Sequence, residues 1–161
     1  MRTITSYIYE NLKHKAYIMT GLPGSGKSTW ISKNLDKNVT IISKDLIRQD
    51  MGIITDQDVK AIGDKKQEKQ VNRTHDELLN RAIVDGKDVV IDNTNIGKSR
   101  SKLLNTLRRA DYYIIGVNIK TPLDVCMKRR KDCIPSNIMQ QMSKDLKFLT
   151  TDECDKIIDV K

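Results

Sequence analysis

No stretch of this sequence approaches the roughly 20 consecutive apolar residues that cross a bilayer, so no transmembrane helix is expected. It also lacks a basic segment followed by an apolar block at its start. Met1 to Tyr9 instead alternates Thr, Ser, Ile and Tyr, which argues against a secretion signal. Cysteine is scarce. Cys126, Cys133 and Cys154 are odd in number and have no metal-ligand spacing, so they read as reduced, partly buried thiols in a reducing compartment rather than as a disulfide framework. The two histidines, His14 and His75, have no partner spacing that suggests a metal. Repeats, low-complexity tracts and dividing linkers are also missing. The expectation is one domain over residues 1–161, cytoplasmic, with no membrane partner.

The remaining composition is that of a folded chain. Apolar residues make up 38 % and charged residues 31 % of the 161, and a chain of this length buries roughly two-thirds of its unfolded surface. A net charge of +8 suits an anionic partner. Lysine outnumbers arginine and isoleucine is abundant, as base-composition bias also produces, so charge alone shifts the reading only slightly toward nucleic acid.

Four apolar runs, Ala16–Met19, Val39–Ile42, Asp88–Ile91 and Tyr112–Val117, are short, rich in β-branched residues and nearly continuous. Continuous apolarity marks strands buried on both faces of a parallel sheet. Between the runs lie helical stripes: Val71, His75, Leu78, Leu79 and Ala82, then Leu103, Leu104 and Leu107, with Gly86 where the first helix should stop. Alternating strands and helices predict a doubly wound α/β fold. The charged stretch 55–74 reads as an exposed helix or an insertion. The segment from Pro122 reads as helix, a break near Pro135, and helix again to about Lys147, with Ile157 and Ile158 as a short edge strand.

The strongest motif is Gly21-Leu22-Pro23-Gly24-Ser25-Gly26-Lys27-Ser28, followed by Thr29, which fits G-x-x-x-x-G-K-[ST]. Its glycines allow consecutive N–H groups to turn toward phosphate oxygens, and a helix starting near Lys27 adds unpaired N–H groups and its positive dipole end. Lys27 can reach the β- and γ-phosphates, and Ser28 can ligate Mg²⁺. The context fits, with a strand over 16–20 before the loop and a helix over 28–35 after it.

After the second strand comes Ser43-Lys44-Asp45-Leu46-Ile47-Arg48. Ligands of open α/β sheets bind beyond the carboxyl ends of the strands. Asp45 is a candidate to accept the proton of an attacking hydroxyl, and Arg48 to hold an anionic group on the substrate. From the residues alone, a helix-capping Asp45 paired with Arg48 in solvent is an equal alternative.

The phosphate loop with Trp30, then Ser43-Lys44-Asp45 with Arg48-Gln49, then Val90-Ile91-Asp92-Asn93-Thr94-Asn95, taken in that order, resemble the 5′-kinase domain of bacteriophage polynucleotide kinases. The resemblance continues through 122–142 and covers most of the chain. It implies a P-loop NTPase-type parallel sheet flanked by helices, with a helical basic lid at about 122–147. It also implies γ-phosphate transfer from ATP or another nucleoside triphosphate, with Mg²⁺, to the 5′-hydroxyl end of RNA or DNA. Asp45 matches the general base and Arg48 the residue contacting a nucleic-acid phosphate; a phage-encoded protein would act in the host cytoplasm.

Asp92 directly follows the third strand, where it could orient Mg²⁺-bound water or merely close a turn with Asn93 and Thr94. Asn93 is the neighbouring candidate for substrate contact, and either side chain can carry the role of this position. In the lid, Lys128, Arg129, Arg130 and Lys131 form a basic run. A guanidinium there would neutralise charge on the transferring group, although such runs are commonly solvated faces. The loop before Pro135 is shorter than the family's lid, and Cys133 stands where a further arginine is expected, which leaves Arg129 or Arg130 for the task. Two other functions fit the same loop: a kinase of a small-molecule alcohol, such as a nucleoside or metabolite, and an ATP-binding module without phosphotransfer. No second catalytic domain is expected within the sequence.

Overall fold

The computed structural model describes residues 3–53 and 65–161. Of the charged stretch at 55–74, residues 55–64 lie outside the described residues, and the remainder belongs to a helix.

Five short segments pair into one sheet: β1 (Lys15–Thr20), β2 (Thr40–Ile42), β3 (Val89–Ile91), β4 (Tyr113–Ile119) and β5 (Lys156–Val160), in the order β2-β3-β1-β4-β5. Every neighbouring pair is parallel. The expected C-terminal edge strand is therefore present and longer than the two isoleucines that signalled it. Successive residues of β1 point to opposite faces, and both faces are apolar. Ala16 and Ile18 face a core built with Leu79, Ala82, Leu103, Leu104 and Leu107. Met19 faces a second core with Ile31, Val90, Ile115 and Val117. This double burial explains the continuous apolar runs, since neither face could carry polar residues without unpaired groups. Truncating a fully buried member such as Ile18 would cost about 2–5 kcal/mol.

The helices are α1 (Ile4–Leu12), α2 (Lys27–Asn34), α3 (Lys44–Asp50), α4 (Lys65–Val84), α5 (Ser99–Arg109), α6 (Leu123–Arg130) and α7 (Ser136–Asp145). In α4 the buried stripe is Val71, His75, Leu79 and Ala82; Leu78, expected on it, is 39 % exposed at its margin. The helix ends as the sequence implies, with the Lys87 amide donating to the Ala82 carbonyl just after Gly86. Sequence reasoning missed α1, whose Ile4, Tyr7, Ile8 and Leu12 are spaced helically but lie exposed. No described helix is long and apolar enough to cross a membrane.

Two features of this layout position the site. The chain runs from β1 to β2 on one side and places β4 on the other, so the switch in winding direction falls at β1, where open sheets bind ligands. A third apolar cluster joins Leu22 in the loop after β1 to Cys126, Met127, Met139 and Met142 of α6 and α7. The lid helices are thereby packed onto the phosphate loop itself.

Candidate active site

The loop between β1 and α2 is closed by its own backbone, the Ser25 amide donating to the Leu22 carbonyl at 3.1 Å. It is tied to the next layer by the Thr121 hydroxyl, which donates to the Ser25 carbonyl at 2.7 Å. Gly24 has φ 78, a left-handed backbone, and a Cβ there would stand 2.9 Å from Cγ of Arg130 and 3.2 Å from the Cys126 carbonyl. Only glycine satisfies both the turn and the close approach of α6. No side chain caps α2, whose N-cap is Gly26, so the first amides of the helix are left to face the loop's interior. Ser25 Oγ is buried there without a hydrogen-bond partner among the described residues.

The Lys27 ammonium folds back onto its own loop and donates to the carbonyls of Gly21 and Leu22, each at 3.0 Å. Burial lowers its pKa from the ordinary lysine range, and the fields of Asp92 and then Asp45 act in the opposite direction. The Ser28 hydroxyl donates to Oδ2 of Asp92 at 2.8 Å. Loop, second strand and third strand therefore converge on one place. Thr29 lies exposed on the first turn of α2, and Pro23 is half-buried in the loop.

On the second strand's side, Ser43 caps α3 by accepting from the Leu46 amide at 3.4 Å. The alternative in which Asp45 is the cap is thus displaced by Ser43. Asp45 sits in the first turn, 82 % exposed, and accepts from Nη1 of Arg48 at 2.7 Å. Arg48 is only 15 % exposed, because Glu68 of α4 receives its Nε and Nη2 in a two-point fork, both at 2.9 Å. That fork holds the Glu68 carboxyl below the usual carboxylate range.

The third strand ends in a small network. Asn93 Oδ1 accepts from the Lys44 amide at 2.9 Å, and its Nδ2 lies 3.1 Å from Nε2 of His75. Donation by the Asn93 amide leaves Nε2 as the acceptor, so the ring proton is on Nδ1, toward Asp76 at 3.7 Å. Asn95 donates to the Met19 carbonyl at 2.6 Å, tying the end of β3 to the end of β1. In the lid, Nη1 of Arg129 donates to the Gly24 carbonyl at 2.9 Å, and the stem of Arg130 covers the same glycine. Lys128 and Lys131 lie exposed.

The expected residues 21–29, Asp45, Arg48, Asp92, Asn93, Arg129 and Arg130 therefore gather at the carboxyl ends of β1, β2 and β3. Glu68, His75 and Thr121 were missed. Each acts from a distant segment through one contact, and no local spacing announces it; His75 read as a plain core residue because it shares the apolar stripe of α4.

A parallel sheet whose first strand opens into this loop and helix defines the P-loop NTPase-type kinase fold. Residues 17–132 match the family model described as an AAA domain, and the chain belongs to that family. Among solved structures it is similar to a chain of the Pnkp1/Rnl/Hen1 complex, with 23 % identity and a TM-score of 0.55 over 73 % of this chain and 39 % of that one. A second structure, of the Pnkp1/Rnl/Hen1 RNA repair complex, gives 20 % identity and a TM-score of 0.64 over 86 % and 49 %. A sugar kinase from Janibacter sp. HTCC2649 gives 18 % identity and a TM-score of 0.62 over 91 % and 85 %. At these identities the likeness carries the fold. The chain spans less than two-thirds of the RNA-repair-complex chains and most of the sugar kinase.

Proposed function

We propose that the protein is an ATP-dependent polynucleotide 5′-hydroxyl kinase. The observation that carries this reading is the Asp45 carboxylate, solvent-facing on Arg48 in the helix whose Lys44 amide donates to Asn93, next to the Asp92 that accepts from Ser28 of the phosphate loop. Base and donor cradle are thus neighbours across a solvent-open face where an acceptor can enter.

Lys27 exchanges the Gly21 and Leu22 carbonyls for phosphate oxygens, while the amides at the start of α2 hold the β-phosphate. The oxygen-only pair Ser28 and Asp92 would hold Mg²⁺ beside the phosphate loop. When bound, Mg²⁺ neutralises charge on the β- and γ-phosphates. The acceptor hydroxyl oxygen forms a bond to the γ-phosphorus as the bond to the β–γ bridging oxygen breaks. That electron pair leaves with ADP, and the hydroxyl proton passes to Asp45. Arg129 or Arg130, already on Gly24, stabilises charge spread over the transferring oxygens. Arg48 and Asn93 serve the acceptor side. Support for a nucleic-acid acceptor comes from the resemblance to phage 5′-kinases, from the likeness to chains of an RNA repair complex and from the charge of +8.

A second reading, a kinase of a small-molecule alcohol, is favoured by length: the sugar kinase is matched over 85 % of its chain. Transfer of labelled phosphate from ATP to a panel of 5′-hydroxyl RNA, 5′-hydroxyl DNA and free nucleosides separates the two. Label on oligonucleotides, with a KM that climbs steeply with salt, is the expected result. Label only on nucleosides or metabolites supports the second reading, and ATP binding with no labelled product supports a non-catalytic module.

A further inference from the structure

Among the described residues Asp45 is anchored by one side-chain contact, and that contact is itself held from elsewhere. An exposed aspartate in the first turn of a seven-residue helix has no packing to fix its rotamer. Its partner Arg48 is a long side chain whose ion pair with an exposed carboxylate is weak on its own. What immobilises the guanidinium is Glu68 of α4, which takes two of its five N–H donors in parallel. A third donor goes to Asp45, and among the described residues two N–H groups are left to meet an acceptor anion.

We propose that Glu68 is the positioning residue that aims the Asp45 carboxylate, acting through Arg48. The proposal rests on the kinase reading above. Among the described residues the hydrogen bonds of the Glu68 carboxylate go to Arg48 and not to the phosphate loop or Asp45, so its hold on Asp45 passes through one planar group. Because the fork allows one orientation of the guanidinium, the Nη1 donor points where Asp45 must meet it. Without Glu68 the guanidinium is free to rotate, and the base loses its fixed direction. A misplacement of this kind slows a positioned reaction without altering how the donor binds.

The charges facing this trio are Lys44 from α3, which lies in the field of Glu68, and Lys27, which lies in the field of Asp45. Asp76 of α4 faces Lys44, and Asp92 at the end of β3 faces Lys27. Removing the Glu68 charge leaves Arg48 less neutralised beside Asp45.

The test compares Glu68→Gln, Glu68→Asp, Asp45→Ala and, as a control on the exposed Arg73–Glu77 pair of the same helix, Arg73→Ala. For Glu68→Gln the expected result is a kcat lower by about 10- to 100-fold with an unchanged KM for ATP. Glu68→Asp keeps the charge with a shorter reach and should recover part of kcat; Arg73→Ala should match the parent. An inactive Asp45→Ala beside a Glu68→Gln of full kcat overturns the positioning role while leaving the kinase reading intact. Loss of ATP binding in both Glu68 variants also overturns it, in favour of a purely structural role. A fully active Asp45→Ala removes the kinase reading, and the proposal with it.

Discussion

The phosphate loop and the shelf around Asp45, the donor and acceptor sides of the proposed reaction, are built by opposite means. The phosphate loop is held by backbone closure, by the Thr121 hydroxyl and by an apolar lid cluster that includes Leu22. Its shape therefore exists before any ligand arrives. The acceptor shelf is held by charge: a chain of Glu68, Arg48 and Asp45 that ends on an exposed carboxylate. A nucleotide tail is the same for every substrate and rewards a fixed cradle. Under the proposed reading the acceptor enters from solvent, which suits an open shelf whose order comes from ion pairs.

This contrast can be broken or sharpened by substitution. The largest effect is expected for Lys27→Met, which removes the loop's cation and should lower kcat/KM by about 10²–10³-fold, read by labelled-phosphate transfer. Gly24→Ala should come next. It forces φ 78 on a residue with a Cβ and drives that Cβ to 2.9 Å from Arg130, at about 1–3 kcal/mol of strain. A lowered Tm and weaker nucleotide binding would register it. Leu46→Ala on the exposed acceptor shelf should stay within about 0.5 kcal/mol. Equal losses at Gly24 and Leu46 would erase the distinction between the two sides.

The smallest effect expected is a pH dependence from His75. Burial, reinforced by Lys44, lowers its pKa in the folded state. The unfolded chain then takes up the proton first, so stability is lost as pH falls below the ordinary histidine value of about 6.5. Melting curves between about pH 7.5 and 5.5 should show this decline, and His75→Gln should flatten it. A decline of the same size in His75→Gln would assign it to other groups.

The two sides also differed in how far the sequence announced them. The phosphate loop is contiguous, so residues 21–29 declare chemistry and shape together, and the buried strands declare themselves by unbroken apolarity. Asp45 and Arg48 were visible as a pair three residues apart, but which residue caps the helix was not, because Ser43 takes the cap. Glu68 was hidden for a different reason. It reaches Arg48 across 20 positions of chain, from within a charged stretch in which no single acid stands out. His75 hid behind its own burial, since an apolar stripe does not reveal that one ring nitrogen meets Asn93. Helix α1 escaped although Ile4, Tyr7, Ile8 and Leu12 recur at helical spacing, because residues 4–9 also read as an alternation of Thr, Ser, Ile and Tyr.

The most direct test of a carboxylate serving a preformed cradle is single-turnover transfer from γ-labelled ATP to a 5′-hydroxyl RNA oligonucleotide by the parent protein and Asp45→Ala, with ATP affinity measured on both. The account predicts labelled 5′ ends from the parent, a rate lower by about 10²–10⁴-fold in the variant, and ATP affinity that agrees between them within about twofold. Equal transfer rates, or loss of ATP binding in step with activity, would contradict it.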